Sequence, residues 1–147
     1  MYIQRYPGLL TPELCADLVT RVTDNLQSTH WRTDNPFMPL RLAKYISVFP
    51  SLGGRILREF KHLRIDQDGT IYFGRYPTGT QCLPHVDPEN LTLIVELQSA
   101  GAGGRLLIEG EDQNLSVGDA VLFRGEYMHQ VTEVTEGERL SVSVWFK

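Results

Sequence analysis

The chain has 147 residues, 41% hydrophobic and 22% charged, with a net charge of −4. That length suits one domain able to bury a core without staples, and the acidic balance argues against a nucleic-acid partner held on a broad basic face. Its longest apolar runs fall far short of the ~20 residues of a membrane span, and Met1-Tyr-Ile-Gln-Arg-Tyr-Pro7 lacks the basic-then-apolar pattern of a secretory leader, so a soluble cytoplasmic protein, monomer or homodimer, without membrane contact is expected.

Cys15 and Cys82 are the two cysteines. They stand far apart, outside any Cys-x-x-Cys pair, and read as free thiols rather than a disulfide or zinc site. The basic residues Arg32, Arg41, Lys44 and Arg55 come fairly close together in sequence.

In chain order, Thr11-Pro12-Glu13 is a helix start: Thr caps, Pro fits the first turn and Glu faces the positive end of the dipole. Leu14, Leu18 and Val22, with Cys15, Val19 and Leu26, form an apolar stripe at helical spacing, predicting a helix to about residue 27. Residues 28–50, with Pro36, Pro39 and Pro50, read as a long irregular segment of the kind that often carries function. A second helix is expected over 54–63, with Ile56, Leu57, Phe60 and Leu63 on one face. From Asp68-Gly69 onward short strands follow at 70–76, 91–97, 105–109, 120–123, 129–134 and 140–146, punctuated by Gly, Pro, Asp and Asn. The expected architecture is a single domain over 1–147. Its first part, 1–67, is helical support and loop; its second, 68–147, is a β core forming a sandwich or barrel. The helices are expected to pack outside one sheet.

On a strand, residues i and i+2 point the same way. His85 and Asp87 can therefore reach one ion while Val86 turns away, and His129 on a distant strand can close the third side. Two imidazoles and one carboxylate with an open face is the ligand set of non-haem Fe(II) oxygenases. A His-x-Asp alone arises often by chance, with Asp capping local amides. His30 and His62 have no such setting and read as non-ligands.

In 139–145, alternation puts Arg139, Ser141, Ser143 and Trp145 on one face and Leu140, Val142 and Val144 on the other. If the apolar face meets core, the polar face lines a cavity, and a buried Arg there needs an anion. A carboxylate ligand held in its fork satisfies it, with Ser141 and Ser143 as further donors. Tyr72, Gly74 and Tyr76 alternate on a strand leading to His85, so Tyr76, and less directly Tyr72, are candidate cosubstrate contacts.

The ordered pieces Pro7–Cys15, Tyr76-Pro-Thr-Gly-Thr-Gln-Cys-Leu-Pro-His85-Val-Asp87, Gly103-Gly104-Arg-Leu-Leu-Ile108, Gly118-Asp-Ala-Val-Leu-Phe123, His129-Gln-Val131 and Gly137-Glu-Arg139-Leu-Ser-Val-Ser-Val-Trp145 together resemble the 2-oxoglutarate- and Fe(II)-dependent oxygenases, in their prolyl-4-hydroxylase-like branch. The resemblance implies a mainly β fold, a double-stranded β-helix (jelly roll, cupin-like) buttressed by two N-terminal helices. It implies Fe(II) on His85, Asp87 and His129, with 2-oxoglutarate on Arg139 and dioxygen as second cosubstrate; ascorbate is a compatible reductant. Several members of that branch carry Lys where this chain has Arg139. Relatives that halogenate replace the carboxylate kept here as Asp87, so the implied reaction is hydroxylation of an unactivated C–H bond, coupled to decarboxylation of 2-oxoglutarate to succinate and CO2. The substrate implied is peptidyl proline, or alternatively a free amino acid or small metabolite. Trp31, Arg32, Phe37 and Arg124 are candidate substrate contacts. Two other readings compete: a jelly-roll binding domain without chemistry, and a cupin-like metalloenzyme without 2-oxoglutarate. Cupins usually present more histidines than the four found here.

Overall fold

The computed structural model describes residues 1–24, 39–65 and 69–147. The first strand, β1 (Ile3–Tyr6), was not anticipated; it pairs with the later strand β9 (Ala120–Arg124) at a sheet edge, Ile3 opposite Phe123. Helix α1 (Pro12–Asp24) starts where the cap predicts, the Thr11 hydroxyl accepting the Leu14 amide at 3.1 Å. Its Cys15, Leu18 and Val22 are fully buried. The predicted continuation to residue 27 lies outside the described residues.

The irregular segment expected over 28–50 is corrected in its second half. Strand β2 (Leu40–Tyr45) forms there, followed by a short 3-10 turn at Ile46–Val48. Leu42 alone is buried among its residues, so the hydrophobic signal for a strand is short. Helix α2 runs over Pro50–Glu59, earlier than expected, because Pro50 opens it rather than closing the loop before it. Ile56 and Phe60 are buried as predicted, but Leu57 is 53% exposed and is not part of that face. Gly53 lets the helix approach the preceding turn, since a Cβ there would come within 2.9 Å of the Ile46 carbonyl oxygen.

The remaining strands are β3 (Thr70–Tyr76), β4 (Cys82–His85), β5 (Leu91–Gln98), β6 (Ala102–Gly103), β7 (Leu106–Ile108), β8 (Glu111–Asp112), β10 (His129–Val131), β11 (Val134–Glu136) and β12 (Arg139–Phe146). A six-stranded sheet takes the order β1-β9-β5-β12-β3-β2, a four-stranded sheet β4-β10-β7-β8, and β11 pairs with β6. The pairings are antiparallel throughout, and strands distant in sequence lie side by side, as in a jelly roll.

Two apolar layers flank the large sheet. Leu93, Val95 and Leu97 of β5 and Leu140, Val142, Val144 and Phe146 of β12 meet Leu18, Val22, Leu52 and Ile56 of the helices. Ile94, Val121 and Phe123 face Leu106, Ile108, Val131 and Val134 across the sandwich. The same alternation therefore puts Thr92, Glu96, Arg139, Ser141 and Ser143 on the inner side, where polar groups survive only if paired. Among the described residues no helix is long and apolar enough to cross a membrane.

Candidate functional site

His85 ends β4 and His129 begins β10, opposite one another in register, with ring centroids 4.3 Å apart. Asp87 follows β4 and turns its carboxylate between them: Oδ1 lies 3.5 Å from His85 Nε2 and Oδ2 lies 3.2 Å from His129 Nε2. One donor atom from each of the three residues falls within 4.8 Å of the others. The far ring nitrogens are anchored. His85 Nδ1 lies 2.8 Å from the Leu83 carbonyl and His129 Nδ1 2.7 Å from that of Tyr127. A carbonyl only accepts, so Nδ1 carries a proton in each ring; Nε2 faces Asp87 and is the nitrogen that would ligate a metal, the outer-shell arrangement usual for metal-binding histidines. Phe123 packs edge-on against the His129 ring, fixing its plane.

Asp87 is held by groups remote in sequence. Thr92 Oγ1 and Trp145 Nε1 both donate to Oδ2, at 2.7 and 3.0 Å. The Asp87 amide donates to the Gly125 carbonyl at 2.8 Å, and a side chain on Gly125 would collide with the backbone of Asp87 and Glu89. Burial opposes ionisation of Asp87, but hydrogen bonds from His129, His85 and Trp145 outweigh it and hold the carboxyl well below the usual range. The same contact with Asp87, helped by Cys82, pushes the His85 pKa up to about 10.

The three side chains border a cavity of about 180 Å³ whose walls include Tyr72, Gly74, Tyr76, Thr92, Ser141, Ser143 and Trp145. Sequence alternation thus brings Tyr72, Tyr76, Ser141 and Ser143 together as expected. Gly74 is the floor's opening: a Cβ there would lie 3.2 Å from Ser141 Oγ and 3.3 Å from Tyr76 Cε1. Arg139 is 1% exposed, opposite Tyr76 in register, with its guanidinium carbon 5.0 Å from the Tyr76 ring centroid. The anion anticipated for it is partly internal: Arg139 Nε donates to Glu96 Oε1 at 2.8 Å, and Ser99 donates to the other Glu96 oxygen. Arg139 Nη2 is the one buried side-chain polar atom among the described residues without a partner. An orphaned guanidinium nitrogen is what a missing carboxylate would leave. Burial raises the Tyr76 phenol, which the nearby Arg139 only partly offsets, so Tyr76 keeps its proton as a donor.

Arg124 is not brought to this cavity. It is exposed and paired with Glu126 at 2.7 Å, so its expected substrate contact has no geometric support. Trp31, Arg32 and Phe37 lie outside the described residues. Glu96 and Thr92 were missed, although their alternation with Leu91, Leu93, Val95 and Leu97 on β5 marks them as inward-facing polar positions. Arg41 was noted only for its charge, yet it lines the cavity.

A jelly roll with two histidines and a carboxylate at the rim of a polar cavity defines a class of mononuclear metal-binding proteins. The 2OG-Fe(II) oxygenase superfamily matches residues 71–147, which carry His85, Asp87, His129 and Arg139, and the chain belongs to that superfamily. It is 32% identical over 90 residues to a PKHD-type hydroxylase of Maricaulis maris (strain MCS10), covering 52% of this chain and 41% of that protein; the chain thus spans under half the length of this curated relative. The fold is similar to the viral collagen prolyl hydroxylase of Paramecium bursaria Chlorella virus-1, with a TM-score of 0.74, 16% identity and coverage of 99% of this chain and 95% of the other. A Pseudomonas putida prolyl-4-hydroxylase gives a TM-score of 0.73 at 17% identity, covering 99% and 91%. The superfamily uses Fe(II) and 2-oxoglutarate, and the donor set, the orphaned Nη2 and the cavity lined by Gly74, Ser141 and Ser143 fit both.

Proposed function

We propose that this chain is an Fe(II)- and 2-oxoglutarate-dependent hydroxylase of an unactivated C–H bond in a small molecule or peptide. Residues 1–147 work as one catalytic unit, since the helices and the large sheet share a continuous core. The observation that carries the reading is the anchored His85–Asp87–His129 cluster beside a cavity backed by an incompletely paired Arg139. When bound, Fe(II) and 2-oxoglutarate supply the oxidising power: dioxygen is consumed, 2-oxoglutarate leaves as succinate and CO2, and a substrate C–H becomes C–OH.

The protein's part is positional. His85 and His129 present Nε2, each fixed through its Nδ1–H. Thr92 and Trp145 donate to Asp87 and favour its charged form over the cost of burial. Arg139 Nη2 anchors the distal carboxylate of the cosubstrate, with Ser141 or Ser143 as a second donor and Tyr76 as a protonated phenol on the same wall. Ile94, Leu106 and Val131 line the remaining wall and exclude water. No side chain needs to move a proton for the C–H step.

Anaerobic addition of Fe(II) and 2-oxoglutarate tests this. A visible metal-to-ligand charge-transfer band is expected, absent in Asp87→Ala and shifted to higher 2-oxoglutarate in Arg139→Ala. Bound metal without that band would instead favour a cupin-like metalloenzyme, and an unchanged 2-oxoglutarate requirement in Arg139→Ala would remove Arg139 from the site.

A further inference from the structure

Resting on that reading, we propose that Arg41, backed by Tyr72 and Trp145, anchors the substrate and selects a molecule bearing a free carboxylate. Arg41 projects from β2, the edge strand of the large sheet, at the register position of Gly74. Its guanidinium carbon stands 5.0 Å from the Tyr72 ring centroid and 5.6 Å from that of Trp145. Those two rings pack edge to face at 4.9 Å, and the indole of the second donates to Asp87. The cation is therefore one side chain removed from the metal-ligand cluster.

Among the described residues no carboxylate pairs with Arg41, whereas Arg75, Arg105, Arg124 and Arg139 are each ion-paired. Stacking on aromatic rings restrains a guanidinium while leaving its N–H groups free to form a fork with a planar anion. The side chain lines both the inner cavity and an outer hollow formed with Tyr72, Asp87, Pro88, Glu89 and Trp145. The inner cavity, about 180 Å³, and the outer hollow, about 220 Å³, are each smaller than the ~300 Å³ at which ligand pockets usually begin, so neither alone holds cosubstrate and substrate together. The cosubstrate fills the inner cavity, and the substrate must occupy the outer hollow where Arg41 is the cation. Asp87 and Glu89 border the same hollow, so a dianion such as a phosphate ester is repelled and a monoanionic carboxylate is favoured. An interior residue of a peptide other than Asp or Glu has no such group; a free amino acid, a small carboxylic acid or the C-terminal residue of a peptide does.

The test is calorimetric titration of the anaerobic protein loaded with Fe(II) and 2-oxoglutarate. The probes are L-proline, L-leucine and glycyl-L-proline, each against its primary amide. At least one acid should bind about 10-fold more tightly than its amide, the scale of one charge-assisted contact at a partly open site. Arg41→Gln should remove that preference, Arg41→Lys should retain part of it, and neither should move the 2-oxoglutarate dependence of the charge-transfer band. Equal binding of acids and amides, no saturable binding by any acid, or a preference surviving Arg41→Gln overturns the proposal. So does a raised 2-oxoglutarate requirement in Arg41→Gln, which would make Arg41 a cosubstrate ligand. Failure of the charge-transfer band itself refutes the hydroxylase reading, a result distinct from all of these. Dipeptide binding without free amino acid binding identifies the C-terminus of a peptide as the source of the carboxylate, and the converse a free amino acid.

Discussion

Glu96→Gln should destabilise the ligand-free protein far more than a surface substitution does. The Arg139–Glu96 pair has side chains 1% and 6% exposed and a separation of 2.8 Å. At an effective dielectric of about 20 that separation is worth about 6 kcal/mol of attraction. Desolvating both ions costs a comparable several kcal/mol each, so the pair contributes little net stability. Removing one charge is different, because the guanidinium stays buried without compensation. The expected loss is about 3–5 kcal/mol, a large share of the ~5–15 kcal/mol a domain has in total. At about 2–4 °C per kcal/mol for a protein of this size, the midpoint falls by on the order of 10 °C. The double variant Glu96→Leu with Arg139→Met should lose less than Glu96→Gln alone, since no ion remains buried. Adding 2-oxoglutarate should recover part of the Glu96→Gln loss by delivering a carboxylate to the same guanidinium. Thermal and urea unfolding of the three proteins measure this. A Glu96→Gln variant within about 1 kcal/mol of its parent, or a double variant less stable than the single, would refute the reasoning.

Trp145→Phe keeps the ring packing but deletes the donor to Asp87; metal affinity should drop about 10–100-fold, read by competition with a chelator, and an unchanged affinity would show that the indole does not orient the carboxylate. Gly74→Val should abolish 2-oxoglutarate binding while leaving metal uptake intact, because the new side chain enters the space beside Ser141 and Tyr76; equilibrium dialysis of both ligands separates these effects. The raised His85 pKa makes the metal-free protein pH-sensitive: the contribution of protonated His85 is complete below its unfolded value near 6.5 and is lost as pH rises toward about 10. Unfolding midpoints should fall across that window and flatten in His85→Gln, while apparent metal affinity rises over the same range because binding displaces the proton.

The last strand was legible because both its faces are buried for different reasons: Leu140, Val142 and Val144 against the helices, Ser141, Ser143 and Trp145 along the cavity. His85, Asp87 and His129 were legible through their spacing and the expected strands. Strands β1 and β2 were not, since edge strands bury few residues and show little alternation. Nor could local patterns reveal that Glu96 meets Arg139, a contact created by pairing β12 with β5, or that Trp145 meets Asp87, 58 residues away in sequence. Arg41 escaped for the same reason: an isolated Arg in a proline-bearing stretch carries no mark of the rings it will stack upon.

The hydrogen bonds from Thr92 and Trp145 converge on one oxygen of Asp87. Oδ1 receives neither of these hydrogen bonds and is the oxygen left to hold an ion. Thr92 and Trp145 thus lock the rotation of the carboxylate from two strands distant from each other in sequence, so the orientation of the ligand is built into the sheet rather than into the loop that carries it.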